Sequence, residues 1–170
     1  MNIFLKLSVI ILIIFLNSCS KKEEKISMIQ EKELRLQMID AYKEGVKALE
    51  EGDVLFAAKK FNEAEILFPQ SEWAPKSILM AAYSYYTQDY YYDAISELDR
   101  FIKNYPKNER LNYAHFLLAM CYYEQIVDEK KDLGPLLNAQ KEFKFIIKNY
   151  PNSDFALDSK FKLDFINDVL

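Results

Sequence analysis

The sequence predicts an all-α protein, a solenoid of antiparallel helix pairs, and three observations carry that expectation. The steps Leu67-Phe68-Pro69, Asn104-Tyr105-Pro106 and Asn149-Tyr150-Pro151 each close a pair of amphipathic segments. The first two prolines stand 37 residues apart and the third 45 further on, the excess being an insert around Asp128 to Leu136. Glycine is scarce, three in 170 residues, and no stretch alternates polar and apolar residues as a half-buried strand would. Helix, turn, helix and proline at such a period describe units that hide their apolar faces only by stacking on one another.

The repeat can be followed position by position; its first unit has the small-small, small-large-small pattern of a tetratricopeptide unit, and the other two place their residues at the same steps. The first unit has Gly45 and Ala48, then Ala57, Phe61, Ala64 and Pro69. The second has Ala82 and Tyr85, then Ala94, Leu98, Phe101 and Pro106, and the third Ala119 and Tyr122, then Ala139, Phe143, Ile146 and Pro151. Small residues are needed where paired helices cross closely, and large ones fill the space beside the crossing. Repeats are placed at about 39–70, 72–107 and 110–152 within a domain of residues 31–170, with a lone helix at 153–170.

In chain order, residues 1–18 read as a targeting segment. Lys6 supplies a positive start, and Leu7 to Leu16 is apolar except for Ser8, too short a run to span a bilayer and the right length for a signal peptide. The end of this run resembles a bacterial lipoprotein box, with Leu16 three before Cys19, small Ser18 just before it and Asn17 an unusual residue between them. That resemblance implies cleavage after Ser18 and a covalent lipid on Cys19, with Ser20 directing the product to the outer membrane; two or more acyl chains hold stably where one is marginal. An ordinary signal peptide or a short anchor helix is the alternative. Residues 19–30, with Lys21, Lys22, Glu23, Glu24 and Lys25, form a polar tether.

Helix begins at about Ser27 and breaks at Gly52-Asp53; Gln88-Asp89 marks the same turn in the second unit. Ser71, Asn108 and Ser153 come just after the three prolines and are candidate N-caps. Ser153-Asp154-Phe155-Ala156 repeats Ser71-Glu72-Trp73-Ala74, so the last segment is the first helix of a fourth unit, without its partner. Its apolar residues include Phe155, Leu157, Phe161 and Phe165, and solenoids need polar caps. The expectation is a truncated form or a fragment of a longer protein.

The chemistry on offer is sparse. His115 is the one histidine, which rules out a multi-histidine metal site, and any Ser-His-Asp or Cys-His arrangement would have to use it. Cys121, between Met120 and Tyr122, reads as a small core residue. No phosphate-binding glycine loop occurs. The expectation is therefore no catalytic residue, no metal and no cofactor beyond the lipid on Cys19. With 22 basic against 26 acidic residues and a net charge of −4, nucleic-acid binding is disfavoured.

Binding is the better-supported role. The first helices of the units present Ile39, Tyr42, Val46 and Leu49, then Lys76, Leu79, Tyr83 and Tyr86, then Tyr113, Phe116, Met120 and Tyr123. Tyrosine offers apolar area, a hydroxyl and little rotamer entropy to lose, which suits capture of an extended or helical peptide. Tyr42, Val46, Lys76, Tyr83, Tyr86, Phe116 and Tyr123 are the candidate peptide-binding residues; the alternative is that these rings complete the packing between units.

These residues together resemble the BamD family, tetratricopeptide lipoproteins of the outer-membrane β-barrel assembly machinery. The resemblance covers Cys19, Ala41-Tyr42-Lys43-Glu44-Gly45, Gly52-Asp53, Ala57-Ala58-Lys59-Lys60-Phe61, Phe68-Pro69-Gln70-Ser71, Ala81 to Tyr86, Tyr105-Pro106, Tyr150-Pro151-Asn152-Ser153 and Ile166-Asn167-Asp168. It implies a non-enzymatic protein, lipid-anchored at the periplasmic face of the outer membrane, whose partners are the β-barrel assembly subunits and unfolded outer-membrane proteins. The family has five repeats, so the part that docks onto the barrel subunit would be missing. A secretin pilotin, another small lipidated helical-repeat protein, is the runner-up, separated by its client: a secretin tail in place of a barrel C-terminus.

Overall fold

The computed structural model describes residues 28–126 and 132–169. The targeting segment, Cys19, most of the tether and the insert residues 127–131 lie outside them. The chain divides into a short unit, Met1–Glu31, and a main unit, Lys32–Leu170. The described residues form helices α1 (Met28–Glu50), α2 (Val54–Leu67), α3 (Trp73–Tyr86), α4 (Tyr91–Asn104), α5 (Leu111–Glu124), α6 (Gly134–Asn149) and α7 (Asp154–Val169). No strand occurs among them, and none of these helices is long and apolar enough to cross a membrane.

Consecutive helices pack as antiparallel neighbours from α2 through α7, and α3 with α5 and α5 with α7 also touch. The odd-numbered helices therefore make one layer and the even-numbered the other. The core runs through the stack as a chain of clusters. Ala48, Ala57, Ala58 and Phe61 meet Ala81 of the next unit. Ile78, Ala82, Ala94, Leu98 and Phe101 meet Ala114, Leu118 and Cys121. Ala119, Leu136, Ala139, Phe143 and Ile146 meet Ala156 and Ile166. Phe61, Leu98 and Phe143, the large residues of the repeat pattern, are each fully buried, worth about 1.5–3 kcal/mol apiece in apolar area removed from water. Gly45 is small for a visible reason: a Cβ there would lie 2.9 Å from the Phe61 ring.

The turns refine the sequence expectations. Gly52 takes a left-handed backbone, φ +82°, and Asp89 takes the matching one, φ +62°. Asp89 is thus the counterpart of Gly52 in closing a helix, while capping falls to Asp53, whose Oδ1 accepts from the Phe56 amide at 3.1 Å. Of the three expected caps, only Ser153 acts as one, accepting from the Ala156 amide at 3.2 Å. Asn108 bonds the Arg110 amide instead, at 2.9 Å, outside α5. Ser71 Oγ is buried with no partner, although its turn carries the same backbone bonds as the one at Ser153, from Ser71 N to Phe68 O and from Ala74 N to Ser71 O.

A polar clamp joins the even-numbered layer. Arg100 of α4 reaches Glu65 and Asn62 of α2 and its own Glu97, and Tyr105 donates to Glu65 at 3.2 Å. Asn62 in turn donates to Glu97 at 2.8 Å. Glu65 is buried, so the guanidinium is what makes its charge tolerable there.

Candidate peptide-binding groove

Helical spacing sets Ile39, Tyr42 and Val46 along one side of α1, and Trp73 with Lys76 one turn apart on α3. The two sets line a shallow, largely apolar groove of about 370 Å³. Its floor is built edge to face: Tyr42 lies 5.1 Å from Trp73 and 5.2 Å from Phe61, both at steep angles. Lys76 Nζ stands over both groove rings, 4.8 Å from the centre of Trp73 and 5.2 Å from that of Tyr42. The rings hold the ammonium by cation–π attraction while leaving it able to donate. Lys43, Lys47 and Glu50 complete the rim. The result is an apolar trough with a positioned cation at one wall, able to take an aromatic or aliphatic side chain together with a carboxylate or carbonyl.

The other candidate residues are disposed differently. Tyr83, two turns along α3 from Lys76, is 39 % exposed. Tyr86 is half-buried, 6.0 Å from Tyr91, and burial, then Glu124, raises its hydroxyl pKa. Phe116 is wedged 5.0 Å from Phe155 and 6.3 Å from Phe143, sealing α5 against α6 and α7. Tyr123 meets Phe143 and Phe165 at 6.1 and 6.0 Å, with Lys162 above its ring at 4.4 Å. Tyr42, Val46 and Lys76 are therefore brought together in one groove; Phe116 and Tyr123 turn their rings to neighbouring helices. Trp73 was not among the sequence candidates. It is the sole tryptophan and stands three residues before Lys76, a spacing that puts both on one face.

His115 lies at the α5–α6 contact, its Nδ1 2.8 Å from Glu142 Oε2 and its ring 4.1 Å from that of Phe145. Cys121 is buried, and burial pushes its thiol up to about 12. Among the described residues, no group of three or more His, Cys, Asp or Glu could hold a metal ion.

Paired helices in two layers, small residues at the crossings and a groove on the first-helix face define a tetratricopeptide-type array. The solved tetratricopeptide domain of Arabidopsis OM64 has the same fold, with a TM-score of 0.59 at 13 % identity, over 77 % of this chain and 97 % of that one. The chain belongs to the YfiO family of outer membrane lipoproteins, whose match runs over residues 35–170. It is 37 % identical over 152 residues to "Outer membrane protein assembly factor BamD" of Caulobacter vibrioides, covering 89 % of this chain and 49 % of that protein. The protein of the same name from Rickettsia prowazekii is 33 % identical over 129 residues, 76 % of this chain and 51 % of its own. The chain thus spans about half the length of the curated relatives it matches.

Proposed function

We propose that this chain is a non-enzymatic lipoprotein, held at the periplasmic face of the outer membrane by lipid on Cys19. In this reading its repeat array receives unfolded outer-membrane proteins for the β-barrel assembly complex. Family membership and the assembly-factor name of the relatives support the role. The observation that carries the binding step is the α1–α3 groove, in which Lys76 is fixed over Trp73 and Tyr42 beside open apolar surface. A substrate strand ending in an aromatic residue would lay its ring between Tyr42 and Val46 and bring its carboxylate to Lys76. Tyr83 and Tyr86 continue the face for the preceding residues, while Phe116 and Tyr123 support it from within.

Fluorescence anisotropy of a labelled barrel C-terminal peptide against the mature chain tests the reading. Tyr42→Ala and Trp73→Ala should each weaken binding about fivefold, the scale of one aromatic anchor, and Lys76→Ala should weaken a free-carboxylate peptide more than its amide. Undiminished binding by all three variants would move the site off the groove. Saturable binding of a secretin tail, with none of the barrel peptide, would replace the proposed client.

A further inference from the structure

The even-numbered layer carries a surface of opposite character. The outer face of α6 presents Leu137, Lys141, Lys144, Phe145 and Lys148 at helical spacing, with Leu137 48 % and Phe145 38 % exposed. Lys141, Lys144, Phe145 and Lys148 border an open hollow of about 510 Å³ against His115 of α5. The one carboxylate on α6, Glu142, is buried and engaged by His115 at 2.8 Å. Its other oxygen lies 3.6 Å from Lys141 Nζ. Asp99 of α4 is the further carboxylate that interacts electrostatically with Lys141, Glu142 and His115. On a chain of net charge −4, this face therefore concentrates lysines around exposed apolar side chains.

We propose that the outer face of α6 is a contact site for an anionic phospholipid surface, the lysines meeting lipid phosphates and Leu137 and Phe145 entering the headgroup boundary. Lysines flanking an aromatic and an aliphatic residue on one helix face suit that boundary, since their stems cover apolar surface while the ammonium groups stay among the phosphates. A patch of three lysines is weak for a free protein. On a tethered one the membrane is always at high effective concentration, and weak contacts then orient the array. The inference rests on the membrane attachment proposed above.

The test uses the full lipid-bearing chain in phosphatidylcholine vesicles with and without phosphatidylglycerol, spin-labelled at Leu137→Cys, or at Phe56→Cys on α2 as the control. Buried Cys121 does not compete for the label. With phosphatidylglycerol present, the label at position 137 should gain accessibility to oxygen and lose it to a water-soluble nickel complex. The label at position 56 should not change, and high salt should reverse the effect. A Lys141→Gln, Lys144→Gln, Lys148→Gln variant should lose it while keeping its helical circular dichroism. In vesicle titrations of unlipidated chain, the same variant should bind on the order of 100-fold more weakly. Vesicle-retained protein whose label at position 137 ignores phosphatidylglycerol would overturn this inference and leave the anchor intact. Loss of retention would overturn the anchor, and the unlipidated titration then decides the α6 contact by itself. A label that responds to soluble polyglutamate but not to lipid would overturn it in favour of an acidic polypeptide partner.

Discussion

At the residue scale, the closest constraint is the crossing of α1 and α2. A methyl group at Gly45 would need space the Phe61 ring already holds, and an interior that must shift to admit one carbon loses on the order of 1–3 kcal/mol. Gly45→Ala should lower the denaturation midpoint accordingly, and Gly45→Ala with Phe61→Leu should recover part of it, as urea titration will measure. Buried titrating groups supply a second prediction. Burial, ahead of any charge, pushes Tyr113 from 10.0 up to about 12 and Cys121 from 9.0 up to about 12. Both are neutral when protonated, so the fold retains protons that the unfolded chain releases. The stability they contribute is complete below pH 9 and is lost as pH rises toward 12. The melting temperature should fall across that window, and Tyr113→Phe should remove part of the slope. The same burial keeps Cys121 protonated and covered, so maleimide should label it only after unfolding.

At the element scale, helix ends show where local sequence rules hold. Asp53 and Ser153 each satisfy an amide of the helix they precede, and their replacement by alanine should cost about 1 kcal/mol. Ser71 occupies the same sequence position as Ser153 but its hydroxyl bonds nothing. Ser71→Ala should therefore be neutral or stabilising in the same melts. The helices themselves, their pairing and the fully buried Ala57, Phe61, Ala94, Leu98, Ala139 and Phe143 were legible in the repeat pattern, because a period-locked small or large residue has only one place to go. The groove was half legible. Tyr42, Val46 and Lys76 are placed by first-helix periodicity. Whether a given ring on that face stays open depends on the next helix's side chains, and Phe155 and Phe165 of α7 are what cover Phe116 and Tyr123. Trp73 escaped because its place at a helix start made it look like part of the repeat junction.

At the scale of the whole molecule, each unit is stabilised mainly by its neighbours, so opening should be graded along the stack. Amide exchange should be slowest in α3 to α6, whose helices have a packed neighbour on both sides, and faster in α7, where Leu157, Phe161 and Phe165 stay exposed. The clamp between α2 and α4 is the long-range polar contact most able to couple units. Arg100→Ala leaves buried Glu65 without its cation and should destabilise by about 2–3 kcal/mol. Adding Glu65→Gln should return a good part of that loss, a coupling that a double-mutant cycle will register.

That clamp also gives the array two edges of different stiffness. One layer is tied across units by an ionic network of Arg100, Glu65 and Glu97, the other by ring packing such as Tyr42 on Trp73 and Phe116 on Phe155. The ionic pairs are largely buried, so ordinary salt screens them little, while a strongly hydrated salt such as sulfate tightens the ring packing. Sulfate should therefore stiffen the ring-packed edge and leave the clamped edge as it was, so the two sides of the face offered to a bound strand differ in how they yield, without any helix unfolding.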